Sequence, residues 1–255
     1  MTNGIEIKNL TKSFGHVKAL EHLDLEIKKG EIFAFLGPNG AGKTTTIKLL
    51  CGLLSPDEGD IYIAGNNLKT DSEQAKRIIG LIPDEPYLYA KLTAWEFLAL
   101  IARIYELDPG WREEAKKYFD IFEIAPDALA HDLLEGFSHG MRQKVVFTSA
   151  LIRKPGVWLL DEPLVGLDPK AMREVKKLLK QKAQAGAAIF LCTHILSIAE
   201  ELAHRIGIVQ HGKLEFVGTT QELKSYLKNK NLDFNEGDNL EELFLKATLK
   251  HNDNV

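Results

Sequence analysis

The segment Ile32-Phe33-Ala34-Phe35-Leu36-Gly37-Pro38-Asn39-Gly40-Ala41-Gly42-Lys43-Thr44-Thr45 decides the fold. Five consecutive apolar residues suit a strand buried on both faces, and the glycine-rich run after them fits the pattern GxxxxGK followed by a hydroxyl residue. Glycines let the backbone wrap so that successive N–H groups face one anion, and a helix beginning near Thr44 adds the partial positive charge of its N-terminus. This is a phosphate loop, and the residues from Gly37 to Thr45 are assigned to the phosphates of a nucleotide. Lys43 is expected to reach the β- and γ-phosphates. Thr44 is expected to offer its hydroxyl oxygen to Mg²⁺, a hard cation that takes oxygen ligands.

Further along, Val157-Trp158-Leu159-Leu160-Asp161-Glu162 is an apolar strand that ends in two acids. A strand of this kind delivers its last side chains to the carboxyl edge of a parallel sheet, where nucleotides bind. Asp161 is suited to hold Mg²⁺ through water, and Glu162 to orient and deprotonate the water that attacks a γ-phosphate. Around these two anchors the pattern alternates. Strands are expected near residues 5–7, 23–27, 61–64, 78–82, 187–191, 206–209 and 214–217. Helices are expected at 44–50, 170–184, 196–203 and 240–250. Residues 94–153 are helical in period, with breaks at Pro109-Gly110 and Pro126. The fold class is α/β: a phosphate-loop core with a mostly parallel sheet, an N-terminal antiparallel β subdomain and an inserted helical subdomain. The expected layout is one nucleotide-binding domain over residues 1–220, with core 1–85 and 155–220 and helical subdomain 86–154, then a short helical extension over 221–255.

Composition narrows the class. The chain has 255 residues, 45% hydrophobic and 27% charged, which are ordinary globular values. A formal net charge of -4 gives no broad attraction to nucleic acid, so no nucleic-acid partner is expected. Cys51 and Cys192 lack the paired spacing of a zinc or redox motif and read as buried thiols. The N-terminus has no signal-like segment and no stretch approaches the roughly 20 apolar residues of a membrane helix. Any membrane work falls to a partner.

A phosphate loop with an acidic strand end leaves kinases, GTPases and many ATPases open. The middle of the chain discriminates. Phe137-Ser138-His139-Gly140-Met141-Arg142-Gln143-Lys144, placed between the two anchors, resembles the LSGGQ signature of ATP-binding cassette (ABC) ATPases. The resemblance extends through a D-loop, Gly166-Leu167-Asp168, and a switch histidine, His194, and spans nearly the whole chain. It implies ATP and Mg²⁺ as cofactors, a second ATP-binding subunit, and a transmembrane permease that holds the chain at the cytoplasmic face of the membrane. It also implies that Ser138 and Gly140 meet the nucleotide of the other subunit, that Asp168 belongs to the nucleotide-binding set, that His194 contacts the γ-phosphate, and that Phe14 stacks on adenine. Ser138 fits equally a helix N-cap, and the lesser alternative for Phe14 is packing into a small sheet. The chain departs from the family pattern at Phe137, His139 and Met141, at Val165, and at the Q-loop, where Asp84 stands in place of glutamine and is assigned to the metal. These departures resemble a subgroup of single-cassette ATPases paired with separately encoded export permeases. The rival reading is a soluble ABC ATPase with no membrane partner.

Overall fold

The computed structural model describes residues 3–229. Strand β3 (Ile32–Leu36) lies inside a six-stranded sheet of order β10-β9-β3-β8-β7-β6. Its neighbours β8 (Ala188–Thr193) and β9 (Arg205–Gln210) both run parallel to it. Beyond β8, β7 (Val157–Asp161) and β6 (Ile79–Ile82) continue the parallel order, and the hairpin strand β10 (Lys213–Gly218) closes the other edge antiparallel. Every residue of β3 is fully buried, as a parallel strand covered on both faces requires. On one face Phe33, Phe35 and Phe190 pack together and meet the second sheet, β2-β1-β4-β5. That sheet is antiparallel and built from β1 (Asn3–Phe14), β2 (Val17–Lys28), β4 (Glu58–Ile63) and β5 (Asn66–Asn67).

Helix α1 (Lys43–Leu50) leaves the phosphate loop, and α7 (Pro169–Gln184) connects β7 to β8. Helix α7 buries Ala171, Val175, Leu179 and Ala183, every fourth residue, and starts on an Asp168 cap with proline in its first turn. Adjacent parallel strands β6 and β7 are joined by a long helical excursion. It comprises α3 (Ala94–Ile104), α4 (Trp111–Ile121), α5 (Pro126–His131), a 3₁₀ turn at Leu134–Gly136 and α6 (His139–Arg153). Thr93 and Glu96 form a reciprocal capping box at the start of α3, and Pro126 opens α5, which explains one break in the helical period.

Several boundaries differ from the sequence reading. The strand expected at 78–82 starts at Ile79, because Ile78 closes α2 (Ser72–Ile78), a helix for which the sequence reading has no element. The strand expected at 187–191 runs to Thr193. Helix α8 (Leu196–Leu202) matches the expected segment, but a further helix, α9 (Thr220–Asn229), follows β10. Thr219 and Glu222 cap it reciprocally, and Leu223 and Leu227 are fully buried in a cluster with Ala34, Leu36 and Ile206. The helix expected at 240–250 lies outside the described residues. Cys51 and Cys192 are free and buried; burial pushes the Cys51 thiol up to about 12 and the Cys192 thiol higher than its ordinary value, so both are unreactive thiols near neutrality. Among the described residues no helix is long and apolar enough to cross a membrane.

Candidate nucleotide site

The phosphate loop is shaped by close approach. A Cβ at Gly37 would stand 2.4 Å from the Val209 carbonyl oxygen, and one at Gly42, where φ is 110°, would stand 2.6 Å from that of Ala19. The β9–β10 turn pins the loop from outside, with Gly212 N–H donating to Ala41 O at 3.2 Å and Glu21 N–H to Gly212 O at 2.9 Å. Lys43 is nearly buried, and its ammonium donates to Gly37 O at 2.7 Å and Pro38 O at 3.1 Å. An ammonium has three donors, so this anchoring leaves one for a ligand oxygen.

The acids at the end of β7 lie two strands from β3, facing the loop across a cleft of about 340 Å³. Lys43, Thr44, Thr45, Asp84, Asp161 and Glu162 all line it, with Asn39, Gly40 and Gly42. Gly37, Pro38 and Ala41 do not; they shape the loop and hold Lys43. Glu162 sits at φ 44°, a left-handed conformation that costs a non-glycine residue on the order of 1 kcal/mol and that clusters at functional sites. Its carboxylate is held by three donors. Thr193 Oγ1–H donates to Oε2 at 3.0 Å, the His194 N–H donates to Oε1 at 2.9 Å, and His194 Nδ1 lies 2.8 Å from the same oxygen. The His194 ring is otherwise largely exposed, so Glu162 is what orients it.

Asp161 is buried, and burial pushes its carboxyl above the ordinary carboxylate range; the neighbouring charges of Asp84 and Glu162 add to this, while a Thr44 hydrogen bond and Lys43 oppose it. The Thr44 hydroxyl, Asp161 and Asp84 are hard oxygen donors, a set that fits Mg²⁺. Among the described residues no group of three or more His, Cys, Asp or Glu side chains forms a site of its own for a metal. Mg²⁺ takes one or two carboxylates and completes its shell with water and phosphate oxygens.

Val17, Lys18 and Ala19 of β2, and His211 of the β9–β10 turn, also line the cleft and escape the sequence reading. They arrive there because Gly212 docks against Ala19 and Ala41, a tertiary contact with no local signature. Phe14 is paired with Val17 across the β1–β2 turn and is 49% exposed, with Lys12 Nζ 5.7 Å from its ring centroid. It stands beside a lining residue instead of packing into the sheet.

Ser138, Gly140 and Asp168 gather elsewhere. Ser138 caps α6, its Oγ accepting the Met141 N–H at 3.3 Å. A Cβ at Gly140 would lie 2.5 Å from Gly166 O, and one at Gly166 would lie 2.5 Å from His139 Nδ1, so signature and D-loop are pressed together. Lys144 Nζ bonds Asp168 at 2.7 Å, and Asp168 also accepts the Ala171 N–H at 2.9 Å. Lys144 first, and then that N–H, holds the Asp168 carboxyl below its ordinary range. None of Ser138, Gly140 and Asp168 lines the cleft of its own chain.

The sequence profile described as "ABC transporter" matches residues 20–165. The SkfA peptide export ATP-binding protein SkfE of Bacillus subtilis (strain 168) is 40% identical over 211 residues, 82% of this chain and 87% of that protein. A solved ATP-binding subunit of an ABC transporter overlays with a TM-score of 0.86 at 32% identity, covering 96% of this chain and 99% of that one. A dimeric ATP-binding cassette in a post-hydrolysis state with ADP and Pi overlays at 0.75 and 27% identity, covering 84% and 98%. The chain belongs to the ABC transporter family. It is an ATP-binding subunit of that family and hydrolyses ATP.

Proposed function

We propose that two copies of this chain, or this chain and a similar one, close around two Mg-ATP and thereby drive export through a separate transmembrane permease at the cytoplasmic face. The observation that carries the paired arrangement is the separation just described. Ser138 and Gly140 form a polar helix start outside the cleft of their own chain, suited to the γ-phosphate of ATP held by another. Lys43 and the loop N–H groups bind the phosphates, Thr44, Asp161 and Asp84 hold Mg²⁺, and His194 meets the γ-phosphate. When bound, Mg²⁺ neutralises charge on the β- and γ-oxygens. Glu162 takes the proton of the attacking water. A carboxylate offers about four lone-pair sites, and Thr193 and His194 occupy three, which leaves one for that water. Phe14, half exposed beside Val17, offers its face to the adenine. Export is supported by the name of the SkfE relative, a peptide export ATP-binding protein.

The membrane partner is tested by purifying tagged chain from gently solubilised membranes and identifying what co-elutes by mass spectrometry. A polytopic protein is expected in stoichiometric amount. A chain recovered only from the soluble fraction would favour the rival reading of an ABC ATPase without a permease.

The docking surface expected for that partner is a second cleft, about 410 Å³, lined by Leu53, Leu81, Pro83, Tyr87, Phe97 and Val146 among others. It shares Thr44, Asp84 and Asp161 with the nucleotide cleft, which gives a partner seated there a short path to the metal side of the site. Leu53 is 66% and Tyr87 84% exposed, whereas Leu88 packs against the helical core and is a stability residue. Leu53→Ala with Tyr87→Ala is therefore expected to keep the fold and ATP binding while weakening permease association by about 2 kcal/mol or more, the contribution of a buried aromatic anchor. Full co-purification of the double variant would move the contact to another surface.

A further inference from the structure

Three buried side-chain atoms among the described residues have no hydrogen-bond partner: Gln143 Oε1, Arg153 Nε and Trp158 Nε1. Arg153 is otherwise engaged, donating from Nη2 to Ile79 O at 2.8 Å and stacking on Tyr105, and Trp158 lies within the sheet core. Gln143 differs in position. It is fully buried on α6, little more than one turn after the Ser138 cap, and its Nε2 donates to Pro83 O at 3.3 Å. Pro83 immediately precedes Asp84, the exposed acid that lines both clefts. Three residues after Gln143 on the same helix face, Val146 lines the second cleft.

A buried amide with an idle acceptor is an expensive way to fill space, since an apolar side chain of the same shape is close to neutral for stability. We propose that Gln143 is a positioning residue: through Pro83 it ties the signature helix to the turn that carries Asp84, so that movement of α6 sets the distance of that carboxylate from the metal side of the site. The inference rests on the nucleotide-site reading above. The chain assigns the amide two functions in one group. Its N–H holds the backbone just before Asp84, and its free oxygen can take up a donor when the helix shifts.

The test uses Gln143→Leu and Gln143→Met in the full chain, each measured for melting temperature, ATP affinity without Mg²⁺, and the Mg²⁺ concentration that half-saturates both its effect on ATP binding and hydrolysis. The expected result is a melting temperature near that of the parent, ATP affinity within about twofold, and a half-saturating Mg²⁺ raised about fivefold or more. In an Asp84→Asn background the same substitutions are expected to add nothing, because the effect passes through Asp84. An unchanged Mg²⁺ requirement in either variant that folds, an equal shift with Asp84→Asn already present, or loss of folding in both variants would overturn the proposal. The wider reading fails differently: parental turnover would then be independent of chain concentration, whatever the Gln143 variants do.

Discussion

Glu162→Gln is expected to lower steady-state ATP hydrolysis by about 10²- to 10⁴-fold, the usual contribution of a general base, while Mg-ATP binding persists. The substitution should leave the geometry in place. With its amide oxygen toward His194, the new side chain still accepts the His194 N–H, and its NH₂ group faces Thr193 Oγ1. That hydroxyl already accepts the Ile195 N–H at 3.1 Å and has a second lone pair to receive the amide. What disappears is the capacity to take a proton. Closed, ATP-bound dimers should accumulate and be visible by size exclusion in the presence of Mg-ATP. A variant that turns over within twofold of the parent would remove Glu162 from the role of base and leave the strained backbone at this position without its functional explanation.

The contrast between what the sequence displayed and what it hid follows from the range of the interactions involved. The phosphate loop and the acids after β7 were legible because each is a short local pattern: backbone N–H groups, one lysine and one hydroxyl must follow a buried strand in a fixed order. Asp168 was legible as part of a motif and its cap on α7 is local, but its tie to Lys144 depends on two helices meeting. Helix α2 was hidden because its seven residues bury only Ala75, too little for an apolar period to show. Helix α9 opens the helical extension expected after residue 220, and its start carries a readable signal, Thr219 followed three residues later by Glu222. Val17, Lys18 and His211 enter the site only because the β9–β10 turn folds onto β2 and the loop, 171 or more residues apart along the chain. The left-handed backbone of Glu162 had no sequence signal, since glutamate rarely adopts it.

Mixing two inactive variants is expected to restore activity. Ser138→Arg places a bulky cation at an exposed helix start, where it would block the γ-phosphate held by the other subunit; the lost cap costs about 1 kcal/mol, which the fold should tolerate. Lys43→Ala removes the ammonium that Gly37 O and Pro38 O hold in the cleft, so that chain cannot bind the β- and γ-phosphates productively. Each variant alone yields dimers in which both composite sites are broken. In a mixed dimer one site combines the sound phosphate loop of the Ser138→Arg chain with the sound signature of the Lys43→Ala chain, and the other site carries both lesions. Random pairing of equal amounts makes half the dimers mixed, with one good site of two, so recovery is expected to approach about a quarter of the parental rate. The measurement is ATPase activity against mixing ratio, with a maximum near equal amounts. A mixture no more active than the average of its components would show that Ser138 and Lys43 do not act on the same nucleotide from opposite chains, and the separation of the signature from its own cleft would then need another cause.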